Sequence, residues 1–360
     1  MNASEHVIDF RSDTVTQPTA AMLEAMRQAS FGDDSRDGDA TVLALEALAA
    51  KVMGKEAAAF MPSGTMTNLV AALAHTQRGG EVLLEAGAHI LNSELGGITA
   101  VAGAFYRGLP GRRGAMDLDA LREAVRKPGR QRFGTSLVAM ETSHNRAGGA
   151  VLPLEHMRAV HAIARENGIP VHTDGARVFN AAVALGVAAE TIAQHTDSIC
   201  FCISKGLSAP VGSLLCGTAS FIERARAFRR MVGGNMRQCG PLAAAGIVAL
   251  ETMVTRLADD HANAKRLATG FAVIDAGLIA PAHVETNLVK VVLPKDGDTA
   301  QQWSERLERG GIRVSPCDRY ALRFVTHRHI DQTHVDACLH VFGETWRDLR
   351  RSIRMPHAMR

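Results

Sequence analysis

No run of about 18 apolar residues occurs in this chain of 360 residues, so no transmembrane helix is expected. Met1 to Phe10 carries acids and His6 and lacks an apolar h-region, so no signal peptide is expected either. Charge of one sign is also missing: 40 Lys+Arg against 37 Asp+Glu leave a formal net charge of +3. That balance gives no reason to invoke nucleic acid or a membrane surface as partner. Only the C-terminal tail is locally basic, with Arg347, Arg350, Arg351, Arg354 and Arg360, and it fits the solvated end of a helix. The 6 cysteines include no Cys-x-x-Cys pair, which removes the zinc-ribbon and redox signatures. Cys200 and Cys202 alternate along one strand and are poorly placed for a bridge, so reduced, buried thiols in a cytoplasmic protein are expected. No Gly-x-Gly-x-x-Gly follows a strand and no Gly-x4-Gly-Lys-[Ser/Thr] occurs, so dinucleotide and triphosphate loops are unsupported. No internal repeat or low-complexity segment is present.

What is present is alternation. Apolar runs of strand length alternate with helical patterns, which predicts an α/β layer with a largely parallel sheet. Strands are expected at Ala57–Met61, Glu81–Glu85, Ser136–Glu141, Pro170–Thr173, Ile199–Ile203 and Ser213–Cys216. Helices are expected over Ala20–Ala29, Thr41–Met53 with Asp39 as cap, Met66–Thr76, Asp117–Val125, Glu155–Asn167 and Ala219–Met231. From Pro241 to about Asp275 the pattern allows one long helix. After Pro281 the order becomes strand, helix, strand, strand, helix, a self-contained α+β unit. The expected organisation is therefore a large domain, 1–255, and a smaller C-terminal domain, 256–360.

Polar residues gather just after the expected strands, where open α/β sheets bind ligands. Lys205 ends a buried apolar run. Burial disfavours an ammonium, and a neutral amine is what Schiff-base chemistry needs. Taken alone, a strand-end lysine more often reaches solvent. Asp174 ends another strand and can face a positively charged ring nitrogen, although by itself it reads as a helix cap. Ser63-Gly64-Thr65 opens a helix after a strand and offers free N–H groups to an anion, although an isolated Ser-Gly-Thr is usually only a cap. Together the three supply what pyridoxal phosphate requires: a lysine, a carboxylate for the ring nitrogen and a phosphate cradle. His89 and His144 follow strands and can stack on a ring or move protons, while each alone is commonly a structural histidine. Arg177 and Arg323 have the planar guanidinium suited to a carboxylate. His327, His329, His334 and His340 are dense near the C-terminus, but no two form a zincin pair, and no metal site is expected.

These residues fall within eight ordered motifs: Asp9-Phe10-Arg11-Ser12-Asp13-Thr14-Val15-Thr16, Phe31-Gly32-Asp33-Asp34, Pro62-Ser63-Gly64-Thr65-Met66, Glu141-Thr142-Ser143-His144-Asn145, Asp174-Gly175-Ala176-Arg177, Ser204-Lys205-Gly206-Leu207, Gly233-Gly234-Asn235-Met236-Arg237-Gln238 and Arg323-Phe324-Val325-Thr326-His327. In that order they resemble the threonine aldolase family of pyridoxal-phosphate enzymes, of the aspartate aminotransferase-like class (fold type I). The resemblance implies that Lys205 carries the cofactor and Asp174 holds its ring nitrogen. Ser63, Gly64, Thr65 and Ser204 would bind its phosphate, and His89 would stack on the ring. Ser12, Arg177 and Arg323 would grip the substrate carboxylate, with His144 near the substrate hydroxyl. Arg230 and Arg237 match two basic residues that reach the phosphate of a neighbouring subunit, which implies a homotetramer of two catalytic dimers. One stretch departs from the family: Ser35-Arg36-Asp37-Gly38-Asp39-Ala40 has Arg36 where a tyrosine is usual, and Ala40 replaces a proline. Thr67 stands where glycine is frequent.

The implied activity is retro-aldol cleavage of an L-3-hydroxy-α-amino acid such as L-threonine or L-allo-threonine to glycine and an aldehyde. Alternatives are a related lyase acting on phenylserine or hydroxyaspartate, a β-elimination, and a non-catalytic binding protein that keeps the fold. The base for the β-hydroxyl proton is left open among His89, His144 and a bound water.

Overall fold

The computed structural model describes residues 7–34 and 36–354. Met1–His6 with its His6, the departure at Ser35, the side chains of Arg351 and Arg354, and Arg360 lie outside the described residues. The chain divides into two units, 17–255 and a second made of the N-terminal segment with 256–360.

The larger unit is built on seven strands: β1 (Ala57–Met61), β2 (Glu81–Glu85), β3 (Phe105–Leu109), β4 (Thr135–Glu141), β5 (Val171–Asp174), β6 (Ser198–Cys202) and β7 (Ser213–Gly217). Their order across the sheet is β1-β7-β6-β5-β4-β2-β3. Only β7 runs against its neighbours; β6, β5, β4, β2 and β3 pair in parallel. Central strands are covered on both faces, and every residue of β5, β6 and β7 is buried, the polar His172, Thr173, Asp174, Ser198 and Ser213 included. Removing a side chain such as Phe201 from water there contributes about 1.5–3 kcal/mol.

The principal helices of this unit are α1 (Ala20–Gln28), α2 (Ala40–Met53), α3 (Gly64–His75), α4 (Leu154–Glu166), α5 (Val178–Leu185), α6 (Ala219–Met231) and α7 (Gly240–Thr252). Their starts follow capping chemistry. Ser63 Oγ accepts from the Met66 N–H at 3.2 Å to start α3, and Thr218 Oγ1 accepts from the Phe221 N–H to start α6. Asp39 does more than cap α2. One oxygen accepts from Thr41 and Val42, and the other from the Gly32 and Gly240 N–H groups. A single fully buried carboxylate thus ties the loop before α2 to the start of α7.

The smaller unit holds an antiparallel sheet β8-β10-β9, from Leu288–Val292, Ala321–Val325 and Ser315–Asp318 respectively, with helices α8 (Leu257–Ile274), α9 (Ala300–Arg309) and α10 (Gln332–Arg354). Its core centres on Phe271, Phe324, Phe342 and Trp303. Two expectations need correction. The N-terminal segment belongs with this unit, because Ile8 and Asp9 pair in parallel with Ile312 and Arg313 and Phe10 packs on Phe324. The expected single helix from Pro241 to Asp275 is two, α7 and α8; Thr252 at the end of α7 turns its hydroxyl back onto the Val248 carbonyl, a bond that loosens a helix. Among the described residues no single helix is long and apolar enough to cross a membrane.

Candidate active site

Parallel strands deliver their carboxyl ends to one edge of the larger unit's sheet. Glu85 ends β2, Glu141 ends β4, Asp174 ends β5, and Lys205 is the third residue after β6. Glu141 and Asp174 are direct partners in register, and Asp174 lies beside Cys200. Three carboxylates on strand ends is a costly concentration of like charge.

Asp174 is fully buried, and it does not cap the helix that follows: α5 starts at Val178 with Arg177 at its cap position. Its Oδ1 accepts from the Ala176 N–H at 3.0 Å and its Oδ2 from Asn68 Nδ2 at 3.0 Å. Burial pushes the carboxyl up. The Lys205 and His89 charges and these two donors pull harder the other way, and the net direction is down. Asp174 is thus held as an anion without contact with bulk water.

Lys205 itself is half-buried rather than enclosed. The loop that carries it closes on itself. Ile203 N–H reaches the Gly212 carbonyl, Ala209 N–H returns to Ile203, and Ser208 N–H bonds the Lys205 carbonyl at 2.8 Å. Ser208 has φ of 65°, an uncommon conformation for a residue with a side chain. Gly212 has φ of 115°, and a Cβ there would fall 2.3 Å from the Phe60 ring. Ser204 Oγ donates to the Gly212 carbonyl at 3.3 Å.

Beside this loop lies the start of α3. The first N–H groups of a helix have no partner inside it, and they carry the positive end of its dipole. Gly64 brings this terminus against the end of β6, where a Cβ would fall 2.8 Å from Cys202 Sγ.

The two histidines differ in what their nitrogens do. His144 is 2% exposed. Its Nδ1 accepts from the Ala147 N–H at 3.2 Å, which puts its proton on Nε2, 3.0 Å from Glu85 Oε2. Both nitrogens are therefore occupied. His89, placed by the sequence in a loop, is the first residue of a short helix, His89–Asn92. Its Nδ1 donates to Glu94 Oε1 at 2.8 Å, and no described group bonds its Nε2. The hydrogen bond to Glu94 raises the His89 pKa above its ordinary value, against burial, with help from Asp174 and Glu141. Glu94 is itself shifted up, by burial and then by Asp174. Burial likewise raises Glu141, which accepts from the His89 N–H at 2.6 Å and the Asn145 N–H at 2.7 Å, so it fixes both loops.

Sequence reasoning missed Asn68, Glu85 and Glu94, and it quoted Glu141 without a role. The available signal was position: Glu85 and Glu141 are the last residues of strands aimed at the site, and Asn68 stands one turn into α3. Donor atoms of His89, Glu94 and Asp174 lie within 4.8 Å of one another. Asn68 Nδ2 already bonds both carboxylates and His89 bonds Glu94, so these atoms satisfy each other.

Of the remaining expected residues, Arg177 is buried in this unit, Arg230 is exposed, and Arg237 lies 3.8 Å from Asp33. Arg36 lies 3.7 Å from the same Asp33. Ser12 and Arg323 belong to the other unit. There Ser12 caps a short 3-10 turn, and Arg323 Nη2 donates to the Arg11 carbonyl at 3.3 Å. Of the C-terminal histidines, His327 and His329 meet edge to face at 5.8 Å with His327 Nε2 on the Asp9 carbonyl, His334 pairs with Asp331, and His340 with Glu344.

The donor set fits pyridoxal phosphate: a buried anionic carboxylate, a lysine whose charge acts on it, and a glycine-opened helix terminus beside that lysine's strand. Comparison with known proteins agrees. The model of the beta-eliminating lyase family matches residues 9–294. The chain is 42% identical over 340 residues to a probable low-specificity L-threonine aldolase 2 of Arabidopsis thaliana, covering 93% of this chain and 96% of that one. It is 40% identical over 328 residues to the low specificity L-threonine aldolase of Escherichia coli K12, covering 91% and 95%. Its fold is that of the threonine aldolase of Leishmania major, with a TM-score of 0.78 at 18% identity over 94% of this chain and 99% of that one.

Proposed function

From the premise that the chain belongs to the beta-eliminating lyase family, we propose that it is a pyridoxal-phosphate-dependent aldehyde-lyase that cleaves L-threonine and L-allo-threonine to glycine and acetaldehyde. The observation that carries this reading is the buried, anionic Asp174 under the charge of Lys205, one strand away. When bound, the cofactor supplies an electron sink for the pair released as a Cα bond breaks. The protein supplies everything else.

Lys205 provides the amine that attaches the cofactor. Asp174 keeps the ring nitrogen protonated, and an acid held ionised in a buried place is suited to that task. The N–H groups at Gly64 and Thr65, with the Ser63 and Ser204 hydroxyls, take the phosphate. Arg177 binds the substrate carboxylate through its planar guanidinium. Fixing that group decides which Cα bond aligns for cleavage. His89 Nε2 takes the β-hydroxyl proton, because the lone pair of neutral His144 is already taken by the Ala147 N–H while no described group bonds His89 Nε2. General-base help of this kind is worth roughly 10²–10⁴-fold. Glu94 orients His89 and sustains its basicity. His144 is a positioning residue, clamped between Glu85 and the Ala147 N–H.

The working form is proposed as a cytoplasmic homotetramer in which Arg230 and Arg237 reach a neighbouring subunit's phosphate; their exposure and the motif match support this. The test is a substrate panel of L-threonine, L-allo-threonine and L-phenylserine on protein supplied with pyridoxal phosphate. Glycine and the matching aldehyde should form in equal amounts, and Lys205→Ala should form neither. No glycine from any of the three would overturn the aldolase reading.

A further inference from the structure

A hydrogen-bonded chain runs from Asp174 through the larger unit to the far end of α3, and its polarity can be worked out link by link. Asn68 Nδ2 lies 3.0 Å from Asp174 Oδ2 and 2.8 Å from Glu94 Oε1. Ionised carboxylates only accept, so the amide is oriented with both its hydrogens toward them. Asn68 Oδ1 must then accept, and it does so from His172 Nε2 at 3.1 Å and from the Cys200 thiol at 3.2 Å. His172 is fully buried, and burial drives its pKa down to about 4, so it is neutral with its hydrogen on Nε2. Its Nδ1 therefore accepts, from Ser198 Oγ at 2.9 Å. That bond uses the only hydroxyl hydrogen of Ser198, so Ser198 Oγ accepts from His75 Nε2 at 2.7 Å. His75 is neutral too, pushed down to about 3 by burial, and is stacked on Phe221. Every donor in the chain points toward Asp174, and such aligned chains strengthen each member.

The geometry points to a new role for these four residues: we propose that His75, Ser198, His172 and Asn68 form a donor-polarised relay that holds Asp174 ionised and fixed in orientation for the cofactor's ring nitrogen. Asn68 is the direct contact and the other three are positioning residues acting through it. The phosphate cradle and two relay members share helix α3, since Asn68 and His75 are seven residues apart and lie on one face. Cofactor seating and ring electronics are thereby tied to one rigid element. Other charged or titratable groups act on Asp174 as well: Lys205 and His89 favour its anion and the protonated Cys200 thiol points at its Oδ1 from 3.8 Å, while Glu94 and Glu141 lie on the opposing side. When the cofactor is away the relay adds, through Asn68, to the hold that Lys205, His89 and the Ala176 N–H keep on the anion.

This role rests on the pyridoxal-phosphate reading for its purpose, but its test does not. Cofactor-free protein carrying 13C-labelled aspartate is titrated, and the Asp174 carboxyl resonance is followed in the parent, His172→Phe, Ser198→Ala and His172→Gln proteins. The relay predicts that Asp174 protonates at higher pH in His172→Phe and Ser198→Ala than in the parent. His172→Gln, which keeps a donor for Asn68 Oδ1, should restore part of the difference. Cofactor affinity, measured by fluorescence quenching, should weaken by about tenfold in His172→Phe, in keeping with one lost buried hydrogen bond. If His172→Phe fails to fold, Ser198→Ala decides. An Asp174 titration unchanged in folded variants overturns the relay, even if their melting temperature falls. A protein that never binds the cofactor would overturn the proposed function and leave the titration result standing.

Discussion

Glu94→Gln isolates the charge on the His89 partner with little change in shape. The oxygen that accepts from His89 Nδ1 and Asn68 Nδ2, both at 2.8 Å, is retained as an amide oxygen. Two charge-assisted bonds become neutral ones, each weaker by about 1 kcal/mol. Against that, a carboxylate that burial and Asp174 both disfavour is removed. The two terms are of similar size, so stability should change by less than about 1 kcal/mol. Activity should respond differently. The Glu94 bond is the largest influence raising the His89 pKa. His89 must be neutral to accept a proton, so in the parent kcat/KM rises as pH rises through that raised value. In the variant the acid limb should move to lower pH, because the imidazolium has lost its partner. The plateau should fall by roughly 10–100-fold, since a less basic, less firmly oriented imidazole is a poorer base. Stability depends on pH in the opposite sense. His89⁺ paired with Glu94 contributes stability that is fully present below the ordinary His value of 6.5 and lost as pH rises through the raised one. The assay is a pH profile of aldehyde release for both proteins, with thermal melts as control. An acid limb that stays in place while the plateau falls would show that His89 is not the titrating base.

Two further outcomes follow from single contacts. Gly64→Ala places a Cβ 2.8 Å from Cys202 Sγ at the start of α3, so cofactor affinity should drop by more than about tenfold with little change in the melting temperature of cofactor-free protein; equal affinity by fluorescence titration would contradict the cradle. Arg229 is 4% exposed and bonds Asp34 at 2.5 Å, the Phe60 carbonyl at 2.7 Å and Asn235 at 2.9 Å, so Arg229→Ala strands a buried carboxylate. It should cost about 3–5 kcal/mol in denaturant unfolding, and a loss below about 1 kcal/mol would refute that account of the loop at Asp33 and Asp34.

The strands were legible because their apolar runs are short, continuous and bounded by turns, and their carboxyl ends located Lys205 and Asp174. β3 was missed: Phe105, Tyr106 and Arg107 on this edge strand are not buried, so it lacks the apolar signature of the central strands. The partners of the two histidines were also illegible. Glu94 lies five residues beyond His89, and Glu85 is 59 residues from His144, a pairing that only strand order creates. Likewise nothing in the pattern around Asn68, His172 and Ser198 marks them as neighbours, since α3, β5 and β6 meet only in the folded sheet. The N-terminal segment was assigned to the wrong unit because a two-residue strand, Ile8–Asp9, gives almost no periodicity to read.

The central claim is carbon–carbon cleavage carried out around Lys205, and the product ratio from L-threonine tests it most directly. Protein saturated with pyridoxal phosphate should release glycine and acetaldehyde in a one-to-one ratio, with neither product from Lys205→Ala. Release of 2-oxobutanoate and ammonia in place of glycine would contradict the account and assign the same site to β-elimination.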